Sequence, residues 1–407
     1  MADVDKINQP NQTPNKPNEL SEEAAKARKH TRRVILGFSI SSFLNDSGSD
    51  MLLPLMPLYI LSIGGSMAFL GFLDGLGAMV VSFSALLSGY ISDRLGRRKP
   101  FIWVGYLASG LARFGYGLAV KPIQLIAPKV IDRMGKVRET PRDAVLADAV
   151  KQDRRGRGFG ILRMMDHAGA FTGALTALIL ISFLPLHIIF YIAAVPTLIS
   201  VVIILLVIPE KRGKVKRQMP SLGKISGNGW LLLTAIFISS LGIFSYSFLI
   251  IYATRAGFRN EVIPALYLIM TAVSAIFSFP FGRLCDHIGR RWVTSISFLF
   301  FIAMCALGAL LLSPWVAIVL LVLFGLFQAA YEPSIRALTC EVAPPELRGT
   351  ALGGAQLARG IAALPASWMV GYLWDNASPA AGFSLAGGLV VLGLVLLLFV
   401  KEGEACA

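Results

Sequence analysis

The side chains best suited to chemistry are charges set inside apolar runs. Asp46 and Asp50 lie one helical turn apart, beside Asn45 and Ser49, in the middle of an otherwise apolar stretch. At that spacing they share one helix face, and two carboxylates so close resist double ionisation. Such a pair suits the loading and release of a proton, or the holding of a cation; a hydrogen-bonded packing pair is the alternative. Further on, Lys129, Asp132, Arg133, Lys136, Arg138, Glu139, Arg142 and Asp143 place eight charges in fifteen residues. Each would cost about 2.5–3.5 kcal/mol at a lipid-facing bilayer centre, so they must face protein, water or one another. Asp132 and Lys136 at i,i+4 can neutralise each other, and Pro141 should kink the helix that carries them. Asp74 and Arg113 are isolated charges that can pair, while Arg163, Asp166 and His167 suit a local salt bridge with a titratable neighbour. Later in the chain come Gln328, Tyr331, Glu332, Arg336, Gln356 and Arg359, with Ser239, Ser240, Ser245, Tyr246 and Ser247 as a hydroxyl-rich stretch. No phosphate loop, nucleophile–His–acid set or metal-ligand run accompanies them, so neither enzyme chemistry, a metal nor a cofactor is expected.

The elements that must position these groups follow from composition. Of 407 residues, 55% are hydrophobic and only 15% charged, against roughly 45–50% and 25% in soluble domains. Residues 378–400 carry no charge at all. A soluble enzyme is excluded, and so is a β-barrel, whose strands would alternate with period 2. Four cysteines in no paired spacing imply no disulfide framework. At about 20 apolar residues per crossing, the runs predict an all-α membrane protein with twelve transmembrane helices. They lie near 34–62, 66–90, 101–120, 122–148, 159–184, 186–208, 228–254, 261–284, 292–313, 315–341, 352–375 and 378–400. Residues 1–33 lack an apolar core, are not a signal peptide and read as a disordered tail.

Lysine and arginine set the orientation. Twenty-six of the 38 fall on the side holding both termini and three (Lys121, Arg255, Arg259) on the other, which makes both termini cytoplasmic. The +14 net charge is thus a topology signal. No soluble basic patch for nucleic acid is present.

An internal repeat organises the chain. Gly89, Asp93, Gly96 and Arg97 recur as Gly282, Asp286, Gly289 and Arg290, an offset of 193 residues. The same offset carries Asp148 onto Glu341, Glu139 onto Glu332, Gly160 onto Gly353 and Arg155-Gly156 onto Arg348-Gly349. Two six-helix repeats are implied: 34–208 and 228–400, joined by a basic cytoplasmic loop at 209–227 and followed by a cytoplasmic tail at 401–407. Gly89 would allow close helix approach and Gly96 a tight turn, and Gly282 and Gly289 stand at the matching gating positions of the second copy. Asp93 can face a helix N-terminus. Arg97 would pair with Asp148 and Arg290 with Glu341.

With its loop Gly89–Lys99 and the second copy of that loop, the chain resembles the major facilitator superfamily over nearly its whole length after residue 33. The resemblance implies two parallel six-helix repeats around a central site. It further implies gating by the two loop clusters and a role in proton transfer for an arginine standing where Arg133 stands. Family architecture places Asp46, Asp50, Lys129, Arg133, Lys136, Glu139, Glu332 and Arg336 around the cavity. Gly160, Gly169 and Gly173 follow the spacing of a signature of drug/proton antiporters, but Ala174 replaces its proline and Ala177-Leu178 its closing Gly-Gly. Small residues at that spacing also pack membrane helices generally. The expectation is a proton-coupled secondary transporter, monomeric, in the plasma (bacterial inner) membrane. Its partners would be a small-molecule substrate, protons and the lipid bilayer, and its direction export. The alternative is a symporter importing an anionic or zwitterionic solute.

Overall fold

A computed structural model describes residues 16–95, 97–150, 155–209, 226–343 and 347–402. The first part of the chain folds as α1 (Lys16–Leu52), α2 (Met56–Ser62), α3 (Met67–Leu95), α4 (Lys99–Leu118), α5 (Ile126–Met134), α6 (Glu139–Ala149), α7 (Arg155–Leu180) and α8 (Leu186–Val207). The second part folds as α9 (Gly227–Gly242), α10 (Ser247–Arg255), α11 (Ile263–Ile288), α12 (Arg290–Leu310), α13 (Pro314–Val342), α14 (Arg348–Asn376) and α15 (Pro379–Leu398). No strand occurs among the described residues. Among the described residues, seven helical segments are long and apolar enough to cross a membrane by length and composition alone. The α1, α4, α7 and α14 helices and the α5–α6 run are not among them, and these carry many of the ionisable side chains singled out above.

The helix breaks matter for the site. Residues 34–62 do not form one helix: Leu53–Leu55 interrupt it, where Pro54 and Pro57 cannot donate backbone hydrogen bonds. The stretch 122–148 divides at a 3-10 turn, Gly135–Arg138. Pro141, expected to kink this helix, instead occupies the first turn of α6, where a missing N–H costs little. Residues 228–254 break between α9 and α10, where the Ser245 hydroxyl accepts from the Ser247 N–H at 3.3 Å in competition with helical bonding. Against the expectation of a disordered tail, α1 begins at Lys16. The sequence Glu19–Arg28 is rich in strong helix formers. Residues 1–15 lie outside the described part.

Within the first part, α1 packs on α7 and α8, and α4 on α8; within the second, α12 packs on α13 and α15, and α9 on α14 and α15. The α1–α7 contact is close because a Cβ on Gly169 or Gly173 would collide with the carbonyls of Phe43 or Ser47. The two parts meet along α3–α14, α7–α11 and α2–α10. One apolar core runs through both, including Leu55, Ile60, Leu70, Phe248 and Ile251.

Candidate functional site: a central polar cavity

Between the two parts lies a cavity of about 760 Å³. Its walls divide by chemistry. The first part contributes most of the ionisable side chains from α1, α3, α5, α6 and α7, while the second contributes mainly Phe, Tyr, Ser and Gln, with Glu332 and Arg359 as its charges. Charged groups taken from water need partners, and most of those in this cavity have one.

At the floor, Lys129 donates to Asp74 at 2.8 Å, and both side chains are largely buried. The other Asp74 oxygen accepts from Ser245 at 2.8 Å and from Ser247 at 2.5 Å, across the break between α9 and α10. Asp74 thus bridges the two parts, and it pairs with Lys129 rather than with Arg113. Arg113 is 1% exposed and among the described residues it donates to neutral oxygens alone: the carbonyls of Asn45 and Ala193 and the hydroxyls of Ser49 and Thr197. It reaches them through the gap left by Gly48, where a Cβ would overlap its guanidinium.

The expected grouping of Asp46, Asp50 and Arg133 does not form. Arg133 lies 3.7 Å from Asp132. Lys136 lies 3.7 Å from Glu139 rather than pairing with Asp132, because the 3-10 turn aligns residues three apart. Asp46 accepts from Asn45 at 2.8 Å. Asp50 accepts from the Tyr267 hydroxyl of α11 at 2.8 Å, a second link between the parts. Among the described residues, no Lys or Arg nitrogen comes within 4.0 Å of either carboxylate. Tyr267 was not legible as a site residue, since one tyrosine in an apolar helix ordinarily packs. Beside it, Tyr246 donates to the Leu53 carbonyl at 3.2 Å, and the two tyrosine rings are 5.4 Å apart.

Toward the other end of the cavity, Arg142 donates to Ser42 at 2.7 Å and sits 4.0 Å from Asp166, which Arg163 approaches at 3.1 Å. Opposite, Glu332 binds Arg359 and lies 3.4 Å from Arg336, whose side chain is largely exposed and, against expectation, does not line the cavity.

Of the gating pairs, Arg290–Glu341 forms at 2.7 Å, and Gly289 has the positive φ of +95° that its turn requires. In the first repeat Asp148 pairs at 2.6 Å with Arg98 instead of Arg97. The reason is register: α12 starts at Arg290, but α4 starts only at Lys99, so Arg97 is left before the helix, exposed. A Cβ on Gly282 or Gly160 would meet nothing within 4 Å, so neither is needed for close approach, and Asp286 is exposed. Gly96 and the side chains at Gly89 and Asp93 lie outside the described part.

A helical bundle around a charged, half-aromatic cavity defines a carrier of small solutes, and comparison with known proteins agrees. The model of the Major Facilitator Superfamily matches residues 38–274 and 253–405. An uncharacterized MFS-type transporter of Methanocaldococcus jannaschii, MJ1317, is 33% identical over 385 residues, covering 90% of this chain and 94% of the relative. The multidrug resistance protein MdtH of Proteus mirabilis is 26% identical, covering 80% of each chain. A crystal structure of a bacterial homolog of the human lysosomal transporter Spinster, inward-facing and unoccupied, superposes with a TM-score of 0.69 at 17% identity, covering 91% of this chain and 95% of that one. The chain belongs to the Major Facilitator Superfamily and is a membrane transporter.

Proposed function

We propose that the protein is a proton-coupled exporter of small organic molecules working by alternating access. In this reading the chain crosses the bacterial inner membrane twelve times as two six-helix halves, 34–208 and 228–400, with both termini and the loop 209–227 in the cytoplasm. The observation that carries it is Asp50. Its carboxylate faces the cavity, is held across the halves by Tyr267, and has no basic partner within salt-bridge distance among the described residues. A proton on Asp50 removes a charge at the junction that must rearrange when the halves rock, so proton binding and conformation are linked. Asp46, one turn away, shares the electrostatic load.

The charge-rich wall facing an aromatic, hydroxyl-bearing wall suits solutes with an apolar body and a polar end. The multidrug resistance name of the MdtH relative supports export. Import of an anion balanced by Lys129 is less favoured, because Asp74 already occupies that ammonium. The test is flux in proteoliposomes under an imposed pH gradient, across panels of organic cations, anions and neutral amphiphiles. Accumulation of at least one class driven by the gradient is expected; gradient-indifferent flux in every class would refute proton coupling.

A further inference from the structure

The two parts pack closely where α3 meets α14, and this seam carries a feature outside the charged cluster. The helices run antiparallel with almost no side chain between them. A Cβ on Gly71 would collide with the Ser367 carbonyl and one on Gly371 with the Met67 carbonyl, while one on Gly75 would lie 2.5 Å from the Ala363 carbonyl. At the tip, the Asp375 carboxylate of α14 accepts from the first two backbone N–H groups of α3, Met67 at 3.0 Å and Ala68 at 2.7 Å. The third, Phe69, donates to Ser66 at 3.1 Å. Capping of this kind normally comes from a neighbouring residue. Here the acceptor is some three hundred positions away, on the other half.

We infer that Asp375 is a gate residue: its carboxylate on the N-terminus of α3 holds the α3–α14 seam shut at the end near the α2–α3 turn. The inference rests on the alternating-access reading. In that cycle the seam must part for the cavity to open on the face carrying Asp375, and parting strips the orphan N–H groups of α3 of their anionic acceptor. The contact exists in one state only, so it biases the equilibrium toward the closed seam without touching solute.

The test reads the seam directly. Ser367→Cys places a thiol on the buried seam (Ser367 is 3% exposed), in a chain whose four native cysteines are replaced by alanine or serine. A membrane-impermeant maleimide is applied from the face carrying Asp375, to vesicles of each orientation. Asp375→Asn should raise the labelling rate roughly two- to fivefold, and Asp375→Glu should return it toward the parent value. Equal rates in the parent and Asp375→Asn, with the parent measurably labelled, would overturn the gate role and leave alternating access standing. No labelling from that face in any variant, with labelling retained from the other, would refute both.

Discussion

Lys129 and Asp74 show how context decides what a buried charge does. Each alone reads as costly, yet their 2.8 Å pair with two serine hydroxyls on Asp74 leaves neither uncompensated. Removing one partner of such a pair exposes the other's desolvation cost, typically about 3 kcal/mol or more. Lys129→Met and Asp74→Leu should therefore each lower the melting temperature in detergent markedly, and the double variant should lose much less than their sum. Additive losses would show that the pair is not a unit. At this scale the sequence was legible in residue type but not in partner. Asp46, Asp50, Lys129, Arg133 and Glu332 do line the cavity, as their charge in apolar runs required. Asp50 instead bonds a tyrosine 217 positions away that hydropathy treats as packing, and Asp74 turned from Arg113 to Lys129. Such pairings depend on tertiary contact, which no local spacing encodes.

The elements obey close-packing rules that glycine contacts make explicit. A methyl at Gly173 would meet the Ser47 backbone carbonyl, which cannot swing away, whereas at Gly160 it would meet nothing. Overpacking costs about 1–3 kcal/mol, so Gly173→Ala should destabilise the protein in thermal melts while Gly160→Ala stays near the parent; the reverse order would contradict the α1–α7 packing. The α4 start explains a second contrast. Arg98→Ala breaks the pair with Asp148 and Arg97→Ala does not. Asp148 is 65% exposed, so the loss is at most about 1 kcal/mol, read as a change of no more than about fivefold in transport. An Arg97 effect larger than that of Arg98 would restore the register implied by the 193-residue repeat. The all-helical character was legible because apolar length is a local signal. The breaks at Leu53–Leu55, Gly135–Arg138 and between α9 and α10 were not, because continuous apolar sequence hides a broken backbone. The start of α1 at Lys16 was not legible, because a polar composition looks the same in a solvated helix and in an unstructured tail.

At the scale of the whole molecule, the two parts touch through a few polar bridges set around a cavity: Asp74 to Ser245 and Ser247, Asp50 to Tyr267, and Asp375 to the start of α3. A carrier that rocks must break some of these and reform others, so a proton arriving at one of them changes the balance of states. In the proposed cycle Asp50 is the bridge that lines the cavity and, among the described residues, has no Lys or Arg nitrogen within 4.0 Å, so it is where we place the coupling of a proton gradient to the conformational change. The most direct measurement compares Asp50→Asn with the parent in the same reconstituted vesicles, with and without a pH gradient, for a transported solute. Asp50→Asn should abolish accumulation driven by the gradient while exchange down a solute gradient continues. Accumulation driven by the pH gradient in Asp50→Asn at the parent level would contradict the assignment of coupling to this carboxylate.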